Sequence, residues 1–346
     1  MSASVRGGKM RAYLEFIAAI LYFFVARSFA RGMAIRIHRD AWEPLVEQIL
    51  FAIFLILGYA AFGSLFDRQT GSIAAQGLPL RTGWKREAGV GMAIGWGAVV
   101  ICVLAMVVVG GIAVVVTAQP SAWPWLIADA GYFALLALGE EVAFRGYGFQ
   151  RFSAVVGSSG AAFGFALFYA IVHAMQPRTT NASIAISVVF SFLLTTAYLR
   201  TRALWLSWGL NFAWKASQAL IFGLAVSGVS SHSPIIEGNP MGPFWLTGGG
   251  FGLDASWFGC LVLLASFPVV YRATRDLDFR YNAPLIVPGG MPVDLDAAAR
   301  RQHETAMGST AEAPTPSLVQ ILPVAAPSVP VQTASESAAA GSEDPR

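Results

Sequence analysis

Long apolar runs recur along this chain, and they constrain its fold more than any other feature. A helix needs roughly 17–25 mostly apolar residues to cross the hydrocarbon core of a bilayer. Eight runs of this kind predict spans near 12–30, 47–66, 89–117, 123–141, 158–175, 182–199, 203–224 and 254–271. We therefore predict an all-α, polytopic bundle of about eight transmembrane helices.

The composition agrees with a multi-pass protein of the cell membrane. Of the 346 residues, 55% are hydrophobic and 12% are charged, which is too apolar for a soluble domain of this length. Membrane lipid is thus an expected partner. The net charge of +3 is modest, and the arginines flank apolar runs without forming a stripe, which argues against nucleic acid as a partner. Cys102 and Cys260 lie inside apolar runs, where a thiol behaves as a small hydrophobe.

The distribution of basic residues predicts that both termini are cytoplasmic, because Lys and Arg accumulate on that side. This orientation places most of them inside: Arg6, Lys9, Arg11, Arg68, Arg81, Lys85, Arg86, Arg145, Arg151, Arg200, Arg202, Arg272, Arg275 and Arg280. The exception is the group Arg27, Arg31, Arg36 and Arg39, which falls on the outer side. Either the segment 31–39 lies in the interface as an amphipathic helix, or the first span is misassigned.

Changes in composition divide the chain into three segments. Residues 1–122 hold the N-terminal transmembrane helices, and 123–280 form a second bundle. From 281 to 346, Pro, Ala, Ser, Thr and Glu dominate without a sustained period, so this tail is predicted to be disordered. The Gly-, Pro- and Ser-rich loop from Ser227 to about Ser256 is predicted to cap the outer face.

Two adjacent carboxylates and an arginine follow an apolar run. Ionisable groups in such surroundings normally occur only when they form ion pairs or take part in function. Glu141 and Arg145 are four residues apart and share a helix face, in the favourable order for an ion pair. Glu140 points about 100° away around the helix and lacks this partner. We therefore expect chemistry first at Glu140.

Two further apolar helices carry polar side chains. His173 closes the fifth predicted span, where an imidazole can ligate a metal, shuttle a proton or simply bond a neighbouring helix. Asn211, Lys215 and Gln218 are separated by four and then three residues, so they share a helix face. A polar seam between helices, with the lysine snorkelling, would also account for that face.

A carboxylate, an imidazole, an amide and an ammonium together suggest a buried site that activates water. In such a site a glutamate serves as base and an amide such as that of Asn211 donates to a developing oxyanion. The same residue types also line ion and proton pathways, so an ion-coupled transporter remains an alternative, although the chain has no evident internal repeat. Spacing alone does not decide between them.

Three motifs resemble one known family. They are Glu-Glu-x-x-x-Arg at 140–145, aromatic-x-x-x-His at 169–173 and Gly-Leu-Asn-Phe-Ala-Trp-Lys at 209–215. Their order and membrane context resemble the CAAX-protease and bacteriocin-processing family of intramembrane proteases, also called CPBP or Abi. The segment 242–252 is similar to one common in bacterial members. The resemblance covers about 130–270.

The resemblance implies a water-accessible cavity within an eight-helix bundle, and hydrolysis of peptide bonds in membrane-associated protein or peptide substrates. It gives Glu140 the role of base, His173 that of orienting the water or ligating a divalent metal such as zinc, and Arg145 with Glu141 that of a structural pair. It also implies that residues 123–280 form the CAAX-protease-like helix bundle.

This chain departs from the family pattern at the third motif, which usually reads His-x-x-x-Asn. Asn211 and Lys215 stand at those two positions, and Tyr169 replaces the usual Phe of the second motif. A zinc site normally takes about four ligands from Cys, His or carboxylate, so Glu140 and His173 are too few. We expect Lys215 to take the place of the metal or of a polarising group, and to pair with one of the two glutamates. The result would be either a protease with an altered site or a catalytically inactive homologue, which would act as a membrane scaffold or an immunity-type binding protein.

Overall fold

The computed structural model describes residues 3–37, 42–66, 73–116, 123–176, 178–230, 236–275, 285–286 and 292–293. Its α-helices are α1 (Ala3–Ile37), α2 (Glu43–Phe66), α3 (Trp84–Val108), α4 (Trp123–Arg145), α5 (Tyr147–Ala174), α6 (Asn181–Thr201), α7 (Trp205–Ala216), α8 (Phe244–Thr247) and α9 (Trp257–Ala273). A π-helical turn, Ser217–Ile221, continues α7, and two 3₁₀ turns, Gly249–Phe251 and Leu253–Ala255, precede α9.

Short strands complete the described structure. The strands β1 (Ile112–Val116) and β2 (Ile236–Pro240) pair antiparallel, with Ile112 opposite Pro240. The strands β3 (Leu285–Ile286) and β4 (Pro292–Val293) form a second antiparallel pair.

The predicted all-α membrane bundle is confirmed. Each of the eight predicted spans coincides with a helix, over all or most of its length. Five helical stretches of the described chain are long and apolar enough to cross a membrane: Gly8–Ile37, Glu43–Phe66, Trp84–Val108, Trp123–Ala174 and Asn181–Thr201. The last of the eight predicted spans corresponds to the shorter apolar helix α9.

Two details of the predicted spans are wrong. The third was expected to run to 117, but α3 ends at Val108 and residues 112–116 form β1. The helix ends because Gly110 adopts a left-handed conformation, with φ of 68°, and a run of β-branched residues then favours the strand. The first helix continues unbroken to Ile37, so residues 31–37 extend it and do not form a separate interfacial helix; Arg39 lies outside the described residues.

Two glycines shape the path of the chain around the polar motifs. Gly146 separates α4 from α5, and a Cβ there would lie only 2.3 Å from the carbonyl oxygen of Val142. Gly157 breaks α5 with φ of 82°, so its second half begins where the fifth span was predicted to start. The break re-aims this half of α5, which carries His173, across the bundle.

Helices α3 and α7 pack with their backbones in close approach. A Cβ added at Gly95 would lie 2.4 Å from the carbonyl oxygen of Leu210, and one added at Gly209 would lie 2.2 Å from that of Ala88. Gly91 makes a similar approach one turn earlier on α3. Small residues at a spacing of four allow such contact between membrane helices. The contact positions α7, which carries two of the polar residues identified above.

We expect Gly95→Ala to destabilise the protein by about 1–3 kcal/mol, because the new methyl group overlaps the α7 backbone. Gly97→Ala on the same helix is the matched control, since a Cβ there has no atom within 4 Å. It should be neutral or slightly stabilising, as alanine favours a helix by up to about 1 kcal/mol over glycine. Thermal unfolding in detergent micelles would compare the two, and equal effects would contradict the close packing.

By its internal contacts the chain separates into a unit of residues 1–283 and a second unit of residues 284–346. In the second unit only β3 and β4 are described, so the predicted disorder of 281–346 concerns residues that lie almost wholly outside the described ranges. That disorder and the division at 122 stay predictions. Within the predicted cap from Ser227 to Ser256, residues 236–240 form the strand β2, which pairs with β1; its place on the outer face stays a prediction.

Candidate functional site

Three helices bring Glu140, His173, Asn211 and Lys215 together. Glu140 is supplied by α4, His173 by the second half of α5, and the other two by α7. Asn211 and Lys215 are one turn apart, so both project from α7 toward α4. The site residues expected from the sequence therefore converge within the bundle.

The two oxygens of the Glu140 carboxylate have different surroundings. Its Oε2 accepts hydrogen bonds from Lys215 Nζ, from Asn211 Nδ2 at 2.9 Å and from the Tyr169 hydroxyl at 3.3 Å. Its Oε1 faces His173 Nε2 across 3.9 Å. The expected pairing of Lys215 with a glutamate is thus present, and it involves Glu140, whose side chain is 12% exposed.

The backbone sets the tautomer of His173. Its Nδ1 lies 2.9 Å from the carbonyl oxygen of Tyr169, which can only accept, so Nδ1 carries the proton. The neutral ring then presents the lone pair of Nε2 toward Glu140 Oε1. Its plane is held against the Tyr169 ring, with the centroids 4.0 Å apart. Two acceptors 3.9 Å apart leave room for one water molecule that donates a hydrogen bond to each.

Glu141 and Arg145 form a fully buried ion pair behind the site. Arg145 Nη1 donates to Glu141 Oε1 at 3.2 Å, and both side chains are 0% exposed. Arg145 Nη2 donates to the Ser191 carbonyl oxygen at 3.1 Å and to its hydroxyl at 3.0 Å. The pair therefore joins α4 to α6. Neither residue lines the cavity described below, which fits a structural rather than a chemical role.

Asn211 links the two glutamates. Its amide nitrogen donates to Glu140 Oε2 at 2.9 Å and to Glu141 Oε1 at 3.0 Å, so both of its N–H groups are taken. It holds the carboxylates in place and does not offer a free donor to an oxyanion.

Gln218 was expected on the same helix face as Asn211 and Lys215, but it points away from them. Its Oε1 accepts a hydrogen bond from the Leu253 backbone N–H at 3.2 Å. The reason is the π-helical turn after Ala216, which changes the rotation per residue along the helix.

A cavity of about 630 Å³ opens onto the site. Glu140, His173 and Lys215 line it. So do residues from α1, from α2 and the residue before it, from α4, and from the segments that follow α5 and the π-helical turn: Arg27, Trp42, Glu47, Trp125, Asp129, Leu136, Arg178, Val226 and Ser227. Asp129 and Glu140 lie on one face of α4, roughly 16 Å apart along its axis.

One site residue was not found from the sequence. Asp254 accepts from Trp214 Nε1 at 2.7 Å and, through its other oxygen, from the backbone N–H of Ser227 at 3.1 Å and the Ser227 hydroxyl at 2.8 Å. It thereby ties the wall of the cavity to the residue next to Lys215. The available signal was a lone carboxylate two residues after the Gly-rich stretch 248–252, without a partner at helical spacing.

The residues present do not fit a zinc ion. Within the described part of the chain, no three His, Cys, Asp or Glu side chains converge as metal ligands. Glu140 and His173 would supply two ligands, where about four are usual. In addition, the Lys215 ammonium is bonded directly to Glu140 and would repel a divalent cation.

Comparison with known proteins supports the family resemblance. The family model described as Rce1-like, type II CAAX prenyl endopeptidase, matches residues 98–217. That segment contains all three motifs, at 140–145, 169–173 and 209–215. No curated protein and no solved structure gives a significant match.

Proposed function

Because residues 98–217 match the family model of the CAAX-type endopeptidases, we propose that this membrane protein hydrolyses peptide bonds of membrane-associated substrates without a bound metal. The observation that carries the proposal is the pair of acceptors, Glu140 Oε1 and His173 Nε2, 3.9 Å apart at the wall of a large cavity. A water molecule between them is oriented by both and can be deprotonated by the carboxylate.

The reaction follows from these positions. Water donates one O–H to Glu140 Oε1 and the other to His173 Nε2, which directs its lone pair at the carbonyl carbon of the peptide bond. As the C–O bond forms, Glu140 takes the proton of the water. When the C–N bond breaks, the same carboxyl group returns that proton to the departing amine. His173 orients the water and stays neutral throughout.

Lys215 is the candidate for stabilising the oxyanion. An ammonium has three N–H donors, and one of them is directed at Glu140 Oε2. Lys215 lines the cavity, so its remaining donors can meet a carbonyl oxygen bound there. In a site largely screened from water, such a donor stabilises the developing charge strongly. Lys215 thus supplies the positive charge that a metal would otherwise provide.

The cavity suggests the class of substrate. The rings of Trp42 and Trp125, whose centroids are 5.0 Å apart, line it together with Leu136 and Val226. Aromatic and aliphatic walls with a few polar groups suit an apolar peptide segment presented from the membrane. Peptides with a prenylated C terminus, which would suit a family described as CAAX prenyl endopeptidases, are one source of such a segment, and unmodified membrane peptides are another.

A second candidate function is a catalytically inactive protein that binds partners in the membrane. The ion pair between Lys215 and Glu140 favours it, because the ammonium competes with the proton that a general base must accept. In this case the cavity binds a peptide without cleaving it.

The experiment uses the purified protein in proteoliposomes with a farnesylated C-terminal peptide and an unmodified apolar peptide. We expect cleavage of at least one peptide, unaffected by 1,10-phenanthroline, because the site lacks the ligands for zinc. Cleavage that the chelator abolishes and zinc restores would contradict the metal-free mechanism.

The double variant Asn211→His with Lys215→Asn gives the third motif the pattern usual in the family, and it separates the two candidates. If the unaltered protein cleaves neither peptide while the double variant binds zinc and cleaves one, the inactive binding protein is correct. If the double variant neither binds metal nor increases cleavage of either peptide, Lys215 does not stand in the place of a metal.

A further inference from the structure

A second, much smaller cavity adjoins the site on its other side. Its volume is about 20 Å³, and it lies where α5, α6, α7 and α9 meet. Its polar walls are Ser183, Ser187, Ser227 and Asp254, together with His173 and Lys215. The last two and Ser227 also line the large cavity, so the two spaces share these three residues in their walls.

This space has the size and the polarity to hold one water molecule. About 10–15 Å³ accommodates a water, provided that two to four polar groups bond to it. The cavity has the required volume, and residues that carry carboxylate, hydroxyl, imidazole and ammonium groups line it beside aromatic and aliphatic ones. A purely apolar cavity of this size would stay dry.

The wall that carries Asp254 is preformed. One oxygen of its carboxylate accepts from Trp214 Nε1 at 2.7 Å, and the other accepts two hydrogen bonds from Ser227. The turn at Ser227 is itself closed by a pair of hydrogen bonds between Val226 and Val229, at 2.9 and 3.0 Å. The lining is therefore held in place before any ligand binds, so the protein pays little further ordering cost when water enters.

A peptide in the large cavity displaces the water there, yet each cleavage consumes one water molecule. We propose that the small cavity holds this water and delivers it between His173 and Lys215 to Glu140 Oε1 while the peptide occupies the other side. This inference rests on the proposed endopeptidase function. It assigns the two spaces different ligands, an apolar peptide to the large one and a single water to the small one.

The test fills the small cavity from α6. Ser187→Val places two methyl groups where the structure has one hydroxyl, Ser187→Ala removes the hydroxyl and leaves the space, and Ala185→Val makes a similar addition at an exposed position of the same helix. With the proteoliposome assay, Ser187→Val should lower kcat about tenfold or more with KM changed less than about twofold, because peptide binding is untouched. Ala185→Val should leave kcat within about threefold of the unaltered protein, and Ser187→Ala, which removes one polar partner of the water but keeps its space, should fall between the two.

A readout that does not need activity separates this inference from the proposed function. Brief X-ray irradiation forms hydroxyl radicals from bound water, and they label nearby side chains such as Trp214. We expect labelling of Trp214 in the unaltered protein and in Ala185→Val, and a severalfold decrease in Ser187→Val. Absence of Trp214 labelling, or an unchanged kcat in Ser187→Val, would overturn the water site even if the protein is a protease. Labelling that Ser187→Val abolishes, in a protein without any hydrolysis, would retain the water site and refute the protease.

Discussion

Glu140→Gln is expected to lower hydrolysis by about 10²–10⁴-fold, the range that a positioned general base contributes. The substitution keeps the size of the side chain and an oxygen that can accept from Lys215, so the packing of α4 against α7 should persist. It removes the only group in the proposed mechanism that takes the proton of the water. The loss should therefore appear in kcat, with KM little changed.

The measurement is single-turnover cleavage by the reconstituted protein, with unfolding followed in parallel to show that the variant is folded. Glu237→Gln is the matched control, because Glu237 is an exposed carboxylate on β2 and lines neither cavity. Activity of Glu140→Gln within tenfold of the unaltered protein would remove Glu140 from the role of base. It would also direct attention to His173 as the group that takes the proton.

Arg145→Met is expected to destabilise the protein by about 3–5 kcal/mol, because it leaves the Glu141 carboxylate buried without its cation. Both side chains are fully buried, so water cannot replace the lost partner. The hydrogen bonds to Ser191 are lost as well, which detaches α4 from α6. We expect this effect to exceed that of any surface arginine, for which Arg202→Met is the control.

A double-mutant cycle distinguishes the buried charge from other causes. Adding Glu141→Gln to Arg145→Met removes the uncompensated charge, so the double variant should recover a large part of the lost free energy of unfolding. Equilibrium unfolding in mixed micelles provides the comparison. Simple additivity of the two single effects would show that the ion pair does not couple the residues, and that their contribution is packing alone.

The helical membrane fold was predictable because its cause is local. Apolar runs of sufficient length specify a spanning helix wherever they occur, and each of the eight predicted spans coincides with a helix. The pairing of Glu141 with Arg145 was predictable for the same reason, since residues four apart on a helix are neighbours before any tertiary contact forms. The strand β1 was missed because Ile112–Val116 is as apolar as the helix before it, and its partner β2 lies more than a hundred residues later.

The choice between the two glutamates required the tertiary structure. From the spacing alone, Lys215 could reach either of them, and only the rotation of α7 about its axis directs it to Glu140. That rotation depends on the close approach of α3 and α7 at Gly95 and Gly209. A contact between two helices cannot be predicted from the residue spacing within either one. Asp254 illustrates the same limit, because its partners Trp214 and Ser227 lie far from it in the chain.

By itself, then, the sequence determined the helical membrane fold, the motifs that the helices carry and the ion pair of Glu141 with Arg145, all of which follow from composition and spacing within one helix. Only the tertiary structure decided that Lys215 bonds Glu140, that Gln218 turns away and that two cavities meet at His173. The physical reason is that contacts between helices depend on their rotation, tilt and breaks, which are set by packing across the whole bundle.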